Sequence, residues 1–221
     1  MIIFALVRKP IESMSDSQDM RISELKVKGI EWIENKLHKE LTYTKPGSIS
    51  YLLYGEKPSE QSIYIKLGRL GEFIAKELIK SNNSLELLDC GIQMINNKRK
   101  DVDLIFIDKI RKIIYYRELK GNIELDTEKI PATIAKCNDI TTFLANKYED
   151  YHVNCAILNW SVYDRQILTA GLSNIKNFEK AGLKIEHMCE FIAIVGATWN
   201  EEDYYSYFRM IGAKINAHTV I

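Results

Sequence analysis

The chain has 221 residues, 46% hydrophobic and 27% charged, and its 30 basic and 30 acidic side chains cancel to a formal net charge of zero. This is the balance of an ordinary globular protein, long enough to bury a full core in one domain; it excludes a disordered chain and a globally basic nucleic-acid binder, but not one whose cations gather on a single face. No apolar run reaches spanning length, and the start, "MIIFALVRKP", is too short and wrongly flanked for a signal peptide, so a cytoplasmic protein with no membrane partner is expected.

In chain order, "MIIFALV" is read as an N-terminal strand or a buried extended segment. Residues 23–41 repeat Leu25, Ile30, Ile33, Leu37 and Leu41 at helical spacing. Residues 44–61 are broken by Pro46, Gly47, Gly55 and Pro58 and read as a loop region with room for one short strand. A second helix follows over 65–80, with the stripe Leu67, Leu70, Ile74 and Leu78. Gly68 and Gly71 weaken it relative to alanine, which points to close approach by a neighbouring element. The run "SLELLDCGIQMI" is read as a strand leading into a hairpin.

That hairpin spans residues 103–108 and 113–119, both alternating and rich in β-branched and aromatic types. A turn centred near Ile110 and Arg111 sets Asp103 opposite Glu118 and Asp101 opposite Lys120. Period two then puts Asp103, Glu118 and Lys120 on one face, so two carboxylates and an ammonium gather at one end of a pair that otherwise looks like core. Downstream, a short extended piece precedes a helix with Pro131 in its first turn, Asp126 as N-cap, and Ile134, Ile140, Phe143 and Leu144 facing the core. The buried strand "HVNCAILNW" completes a β-α-β unit, which calls for a parallel or mixed sheet. The last third, residues 161–221, reads as mostly helical, its clearest signal being a capping box from Thr198 to Glu201. The fold class is α/β: a single domain with a mixed central sheet flanked by helices and C-terminal helical additions.

Two carboxylates on adjacent strands can share a hard cation such as Mg²⁺, which takes a couple of carboxylates plus waters and phosphate oxygens. A neighbouring lysine can orient or help deprotonate an attacking water and offset charge building on phosphate oxygens. Together these are the parts for metal-dependent phosphodiester hydrolysis. Glu-x-Lys also occurs at Glu24-Leu25-Lys26 and Glu34-Asn35-Lys36, but on a helix, where it reads as solvated charge. Only Glu118-Leu119-Lys120 ends an apolar strand and faces an aspartate. The other reading of that instance is an ion pair on an edge strand.

The other features that draw the eye point to structure. Cys90, Cys137, Cys155 and Cys189 form neither a zinc pattern nor a disulfide framework and read as reduced core residues. His38, His152, His187 and His218 have no partner at metal-ligand or triad spacing. Tyr204, Tyr205, Tyr207 and Phe208 read as helix packing or a dimer surface rather than a base-stacking platform.

Asp103 followed by Glu118-Leu119-Lys120 resembles the active-site signature of the PD-(D/E)xK nuclease superfamily, which includes most type II restriction endonucleases. The resemblance covers roughly residues 68–160 and extends to the order of elements: a helix carrying Glu72, the acidic hairpin, a helix, a strand. Lys100 and Val102 stand where a proline often precedes the first aspartate, which leaves Asp101 and Asp103 both open as the ligand; pairing with Glu118 favours Asp103. The resemblance implies a restriction-endonuclease-like core in which Asp103 and Glu118 bind Mg²⁺, Lys120 positions the nucleophilic water and Glu72 is an auxiliary acid. The alternative for Glu72 is a surface pair with Lys76. Lys98, Arg99, Lys100 and Asn122 are candidate DNA contacts. The implied activity is site-specific hydrolysis of double-stranded DNA to 5′-phosphate and 3′-hydroxyl ends, by a homodimer on a palindrome, with a cognate DNA methyltransferase as functional partner. A junction resolvase or repair nuclease of the same superfamily, and a non-catalytic binding or assembly protein, are the competing readings.

Overall fold

The computed structural model describes residues 12–39, 41–123 and 127–219. The expected strand in "MIIFALV" and the Asp126 N-cap lie outside these residues. Seven α-helices and seven strands are described, in the order α1 (Glu12–Lys39), α2 (Ile49–Tyr54), α3 (Glu60–Lys80), β1 (Leu85–Leu87), β2 (Gly91–Ile95), β3 (Lys98–Val102), β4 (Leu104–Asp108), β5 (Ile113–Lys120), α4 (Ile130–Lys147), β6 (His152–Asn159), α5 (Leu172–Lys180), β7 (Lys184–His187), α6 (Met188–Val195) and α7 (Glu201–Thr219).

Five strands form a mixed sheet in the order β1-β4-β5-β6-β7. β1, β4 and β5 are antiparallel neighbours, while β5, β6 and β7 run parallel. Parallel neighbours need crossovers, and α4 and α5 supply them. The strands are apolar on both faces because helices cover both. One face buries Leu104, Phe106, Tyr115 and Leu158 with α1, α3, α6 and α7. The other buries Ile105, Ile107, Ile114, Tyr116, Ile157 and Ile185 against Cys137, Ile140 and Leu144 of α4 and Ile175 and Phe178 of α5. The class is α/β, with a mixed sheet flanked by helices.

Several expectations change. The run read as a single strand into the hairpin divides into β1, on the main sheet, and β2, which pairs with β3 in a separate two-stranded ribbon. Asn96 and Asn97 close the ribbon with positive φ of 51° and 61°, the conformation of a tight two-residue hairpin turn. The loop region over 44–61 holds α2 rather than a strand, capped by the Ser48 hydroxyl. The last third contributes an edge strand, β7, whose central Ile185 and Glu186 are buried. Helix α7 is capped by Asn200, whose Oδ1 accepts the Asp203 N–H at 2.9 Å, and not by a box from Thr198. Of the cysteines, Cys137 is buried and the others partly so, and all four are free.

Gly71 has the close neighbour its composition suggested. A Cβ there would lie 2.5 Å from the Trp160 indole, and one at Gly121 would lie 2.9 Å from the same ring. The indole is therefore wedged between α3 and the residue after β5. Gly68 has no such neighbour among the described residues, none of which comes within 4 Å of a Cβ placed there. The aromatic run of α7 packs inward: Tyr204 and Tyr207 are buried, and Trp199 lies edge-on to both.

Candidate active site

The β4–β5 ladder pairs Leu104 with Arg117 and Asp108 with Ile113, so its turn is centred between Ile110 and Arg111. One step beyond Leu104, Asp103 comes opposite Glu118, as the sequence predicts. Asp101 does not share this position, because the chain leaves the main sheet before it and Asp101 pairs with Ile92 in the ribbon, exposed to solvent. Asp103 is thus the aspartate beside Glu118.

The two carboxylates are held by neighbouring groups of the chain. Asp103 Oδ2 accepts the backbone N–H of Leu119 at 2.8 Å. Glu118 Oε2 accepts the Tyr116 hydroxyl at 2.9 Å, and its Oε1 is 3.5 Å from Lys120 Nζ. Both acids lie largely out of solvent, with side-chain exposures of 15% and 6%. Burial, then the adjacent Glu118 charge, pushes the Asp103 carboxyl up to about 7, against the pull of Lys136 and the Leu119 N–H. A buried acid pair that resists full ionisation is a place where added positive charge is strongly favoured.

Part of that charge comes from a residue that sequence reasoning missed. Lys136 of α4 reaches between the acids, with Nζ 2.5 Å from Glu118 Oε2 and 3.5 Å from Asp103 Oδ1. Burial alone would lower its pKa, but the two carboxylates hold it above the ordinary lysine value. The signal available in the sequence is its place on the flank of the stripe Thr133, Cys137, Ile140, which faces the sheet. That stripe packs against the face carrying Glu118, so Lys136 is carried to the strand ends.

Glu72 pairs with Lys76 at 3.2 Å across one helical turn, yet its charge still adds to the upward push on Asp103. Among the candidate DNA contacts, Lys98 and Arg99 are exposed on the ribbon and Asn122 on the loop after β5. Lys100 is held by Asp139 of α4 at 2.7 Å and so anchors the ribbon instead of extending from it. Asn159 faces Lys120 in register across β5 and β6; it is buried, and its Nδ2 has no hydrogen-bond partner among the described residues. It lines a pocket of about 170 Å³ with Asn122, Ser161 and Val162.

On the opposite sheet face lies a second polar cluster the sequence did not reveal. Arg117, fully buried, donates through Nε and Nη2 to Glu186 at 2.6 and 3.0 Å, through Nη2 to Asn154 Oδ1, and through Nη1 to the Tyr116 and Asn154 carbonyls. All its donors are used, as a buried guanidinium requires. This cluster ties β5 to β7 across β6 beneath the candidate site.

Among the described residues no group of three or more His, Cys, Asp or Glu side chains could hold a metal ion unaided. Two carboxylates completed by waters and phosphate oxygens remain a donor set of the kind Mg²⁺ takes, and the buried pair fits that ion. No protein-family model matches the chain, and no curated protein matches it in sequence. Among the described residues no helix is long and apolar enough to cross a membrane.

Proposed function

We propose that the protein is a Mg²⁺-dependent DNA endonuclease with a restriction-endonuclease-like core, cutting both strands of a specific duplex site as a homodimer. The observation that carries this reading is the buried Asp103/Glu118 pair at the strand ends, flanked by Lys120 and Lys136. A divalent ion held there would polarise the scissile phosphate and lower the pKa of a bound water.

The chain's own residues account for the rest. The Leu119 N–H and the Tyr116 hydroxyl each hold one oxygen of Asp103 and Glu118, which orients both carboxylates and leaves lone pairs on each for a ligand. Lys120 stands on the same strand face as Glu118, where its ammonium orients the water and meets charge building on the phosphate oxygens. Lys98 and Arg99 on the ribbon and Asn122 on the loop offer cations and an amide to the duplex. Two subunits facing each other across DNA bring together two such surfaces, which is how a chain of zero net charge gains a grip on a polyanion.

Incubating the protein with supercoiled plasmid and Mg²⁺ or EDTA tests the reading. Discrete linear fragments with Mg²⁺, their loss with EDTA, and their absence for Asp103→Asn and Glu118→Gln are expected. A dimer on DNA in sedimentation accompanies them. No cleavage of any duplex, or cleavage retained by both variants, refutes the assignment. Cutting confined to branched DNA would favour a junction resolvase.

A further inference from the structure

We infer that Lys136 is the resident counter-ion of the Asp103/Glu118 pair and exchanges with the divalent cation, releasing its ammonium to the substrate phosphate; this rests on the reading of that pair as the metal site. Lys136 Nζ lies 2.5 Å from Glu118 Oε2 and 3.5 Å from Asp103 Oδ1, so it occupies oxygens of the same two carboxylates that would hold the ion. With both acids ionised and Lys120 included, the four groups sum to zero charge. A divalent ion added while Lys136 stayed would leave the buried cluster with an excess of two positive charges, so the ion and the ammonium compete for the same oxygens.

The surroundings permit the exchange. Lys136 keeps 20% of its side chain exposed, so the ammonium has a path to water on a flexible stem. Its helix does not need to move, because Cys137 and Ile140 are locked in the core beside it. Among the described residues the other groups near the acids are engaged: Tyr116 and the Leu119 N–H donate to the acids, Lys120 is a cation, Glu72 is taken by Lys76, and Asp139, one turn along α4, is taken by Lys100 at 2.7 Å. A phosphate brought to the ion then offers Lys136 an anion without a counter-charge of its own, whereas Asp139 already has Lys100. Metal and DNA should therefore favour each other's binding, since DNA supplies the partner that the ion takes from Lys136.

The test is Mg²⁺ binding without DNA, measured by titration calorimetry on the wild type, Lys136→Met and Lys136→Gln, so that no turnover is involved. Removing charge-assisted contacts of about 1.5–3 kcal/mol should tighten Mg²⁺ binding roughly ten- to hundred-fold in both variants. In parallel, acetylation of the wild type followed by mass spectrometry should show Lys136 becoming several-fold more reactive when Mg²⁺ is added. This readout needs no variant to fold. Mg²⁺ binding by the wild type with unchanged Lys136 reactivity, or variants that bind Mg²⁺ no more tightly, would overturn the exchange and leave the metal reading standing. Absence of Mg²⁺ binding in all three proteins would overturn the metal reading and the exchange together.

Discussion

Replacing Asp103 with asparagine should stabilise the metal-free protein near neutral pH and leave it unchanged in acid. Well below its ordinary value of 3.8, the Asp103 carboxyl is protonated in folded and unfolded chains alike. Between 3.8 and the folded-state value of about 7, the native state holds the proton that the unfolded chain has released. Stability therefore falls as pH rises through that window and levels off above it. The span corresponds to about 4 kcal/mol at most. Relaxation of the site and entry of water around the charged form reduce it, by about half, to roughly 2 kcal/mol. Asparagine stands in for the protonated acid and removes that cost. For a chain of this size the gain raises Tm by roughly 4–8 °C. Thermal melts in EDTA at pH 5, where about a third of the cost has accrued, and at pH 8, where all of it has, should show a clearly larger gain at pH 8. A loss of stability at pH 8, or an equal shift at both pH values, would show that burial beside Glu118 does not govern this carboxyl.

Three other outcomes are expected. Lys120→Ala should lower the cleavage rate by several powers of ten while DNA affinity, read by fluorescence anisotropy, stays near wild type, because its contribution is made in the transition state. Replacing both Lys98 and Arg99 with alanine should flatten the dependence of log affinity on log salt by about one for each phosphate no longer neutralised, measured by the same anisotropy at several salt concentrations. Glu186→Gln should cost about 3–5 kcal/mol in urea unfolding, since it leaves the Arg117 charge buried without a counter-charge, whereas Arg117→Met combined with Glu186→Leu should cost far less.

The register of the acidic hairpin was legible because a short turn and period-two alternation leave few choices, and so Asp103 opposite Glu118 followed from the sequence. The helices over 65–80 and after Pro131 were legible from their apolar spacing. What escaped depends on contacts between residues distant in the chain. Lys136 enters the site only because the crossover helix returns over the strand face that carries Glu118. Arg117 looks like a polar interruption in an apolar strand until Glu186, 69 residues away, is brought beneath it. The division of β1 from β2 is likewise set by which strand each meets and not by its own pattern. Asp101 lost its place for that reason: parity alone allowed it, and the separate ribbon removed it.

The wedge of Trp160 between Gly71 and Gly121 imposes a constraint on how this chain can diverge. With 2.5 to 2.9 Å between the indole and the place a methyl would occupy, neither glycine can acquire a side chain while the ring remains. In diverging copies, positions 71, 121 and 160 should therefore change as a set, larger residues at the first two accompanying a smaller ring or an aliphatic at the third. Because Gly121 follows Lys120 directly and the Trp160 backbone N–H donates to the Lys120 carbonyl at 3.1 Å, such a covarying triplet would mark the copies that keep the end of β5 in this place.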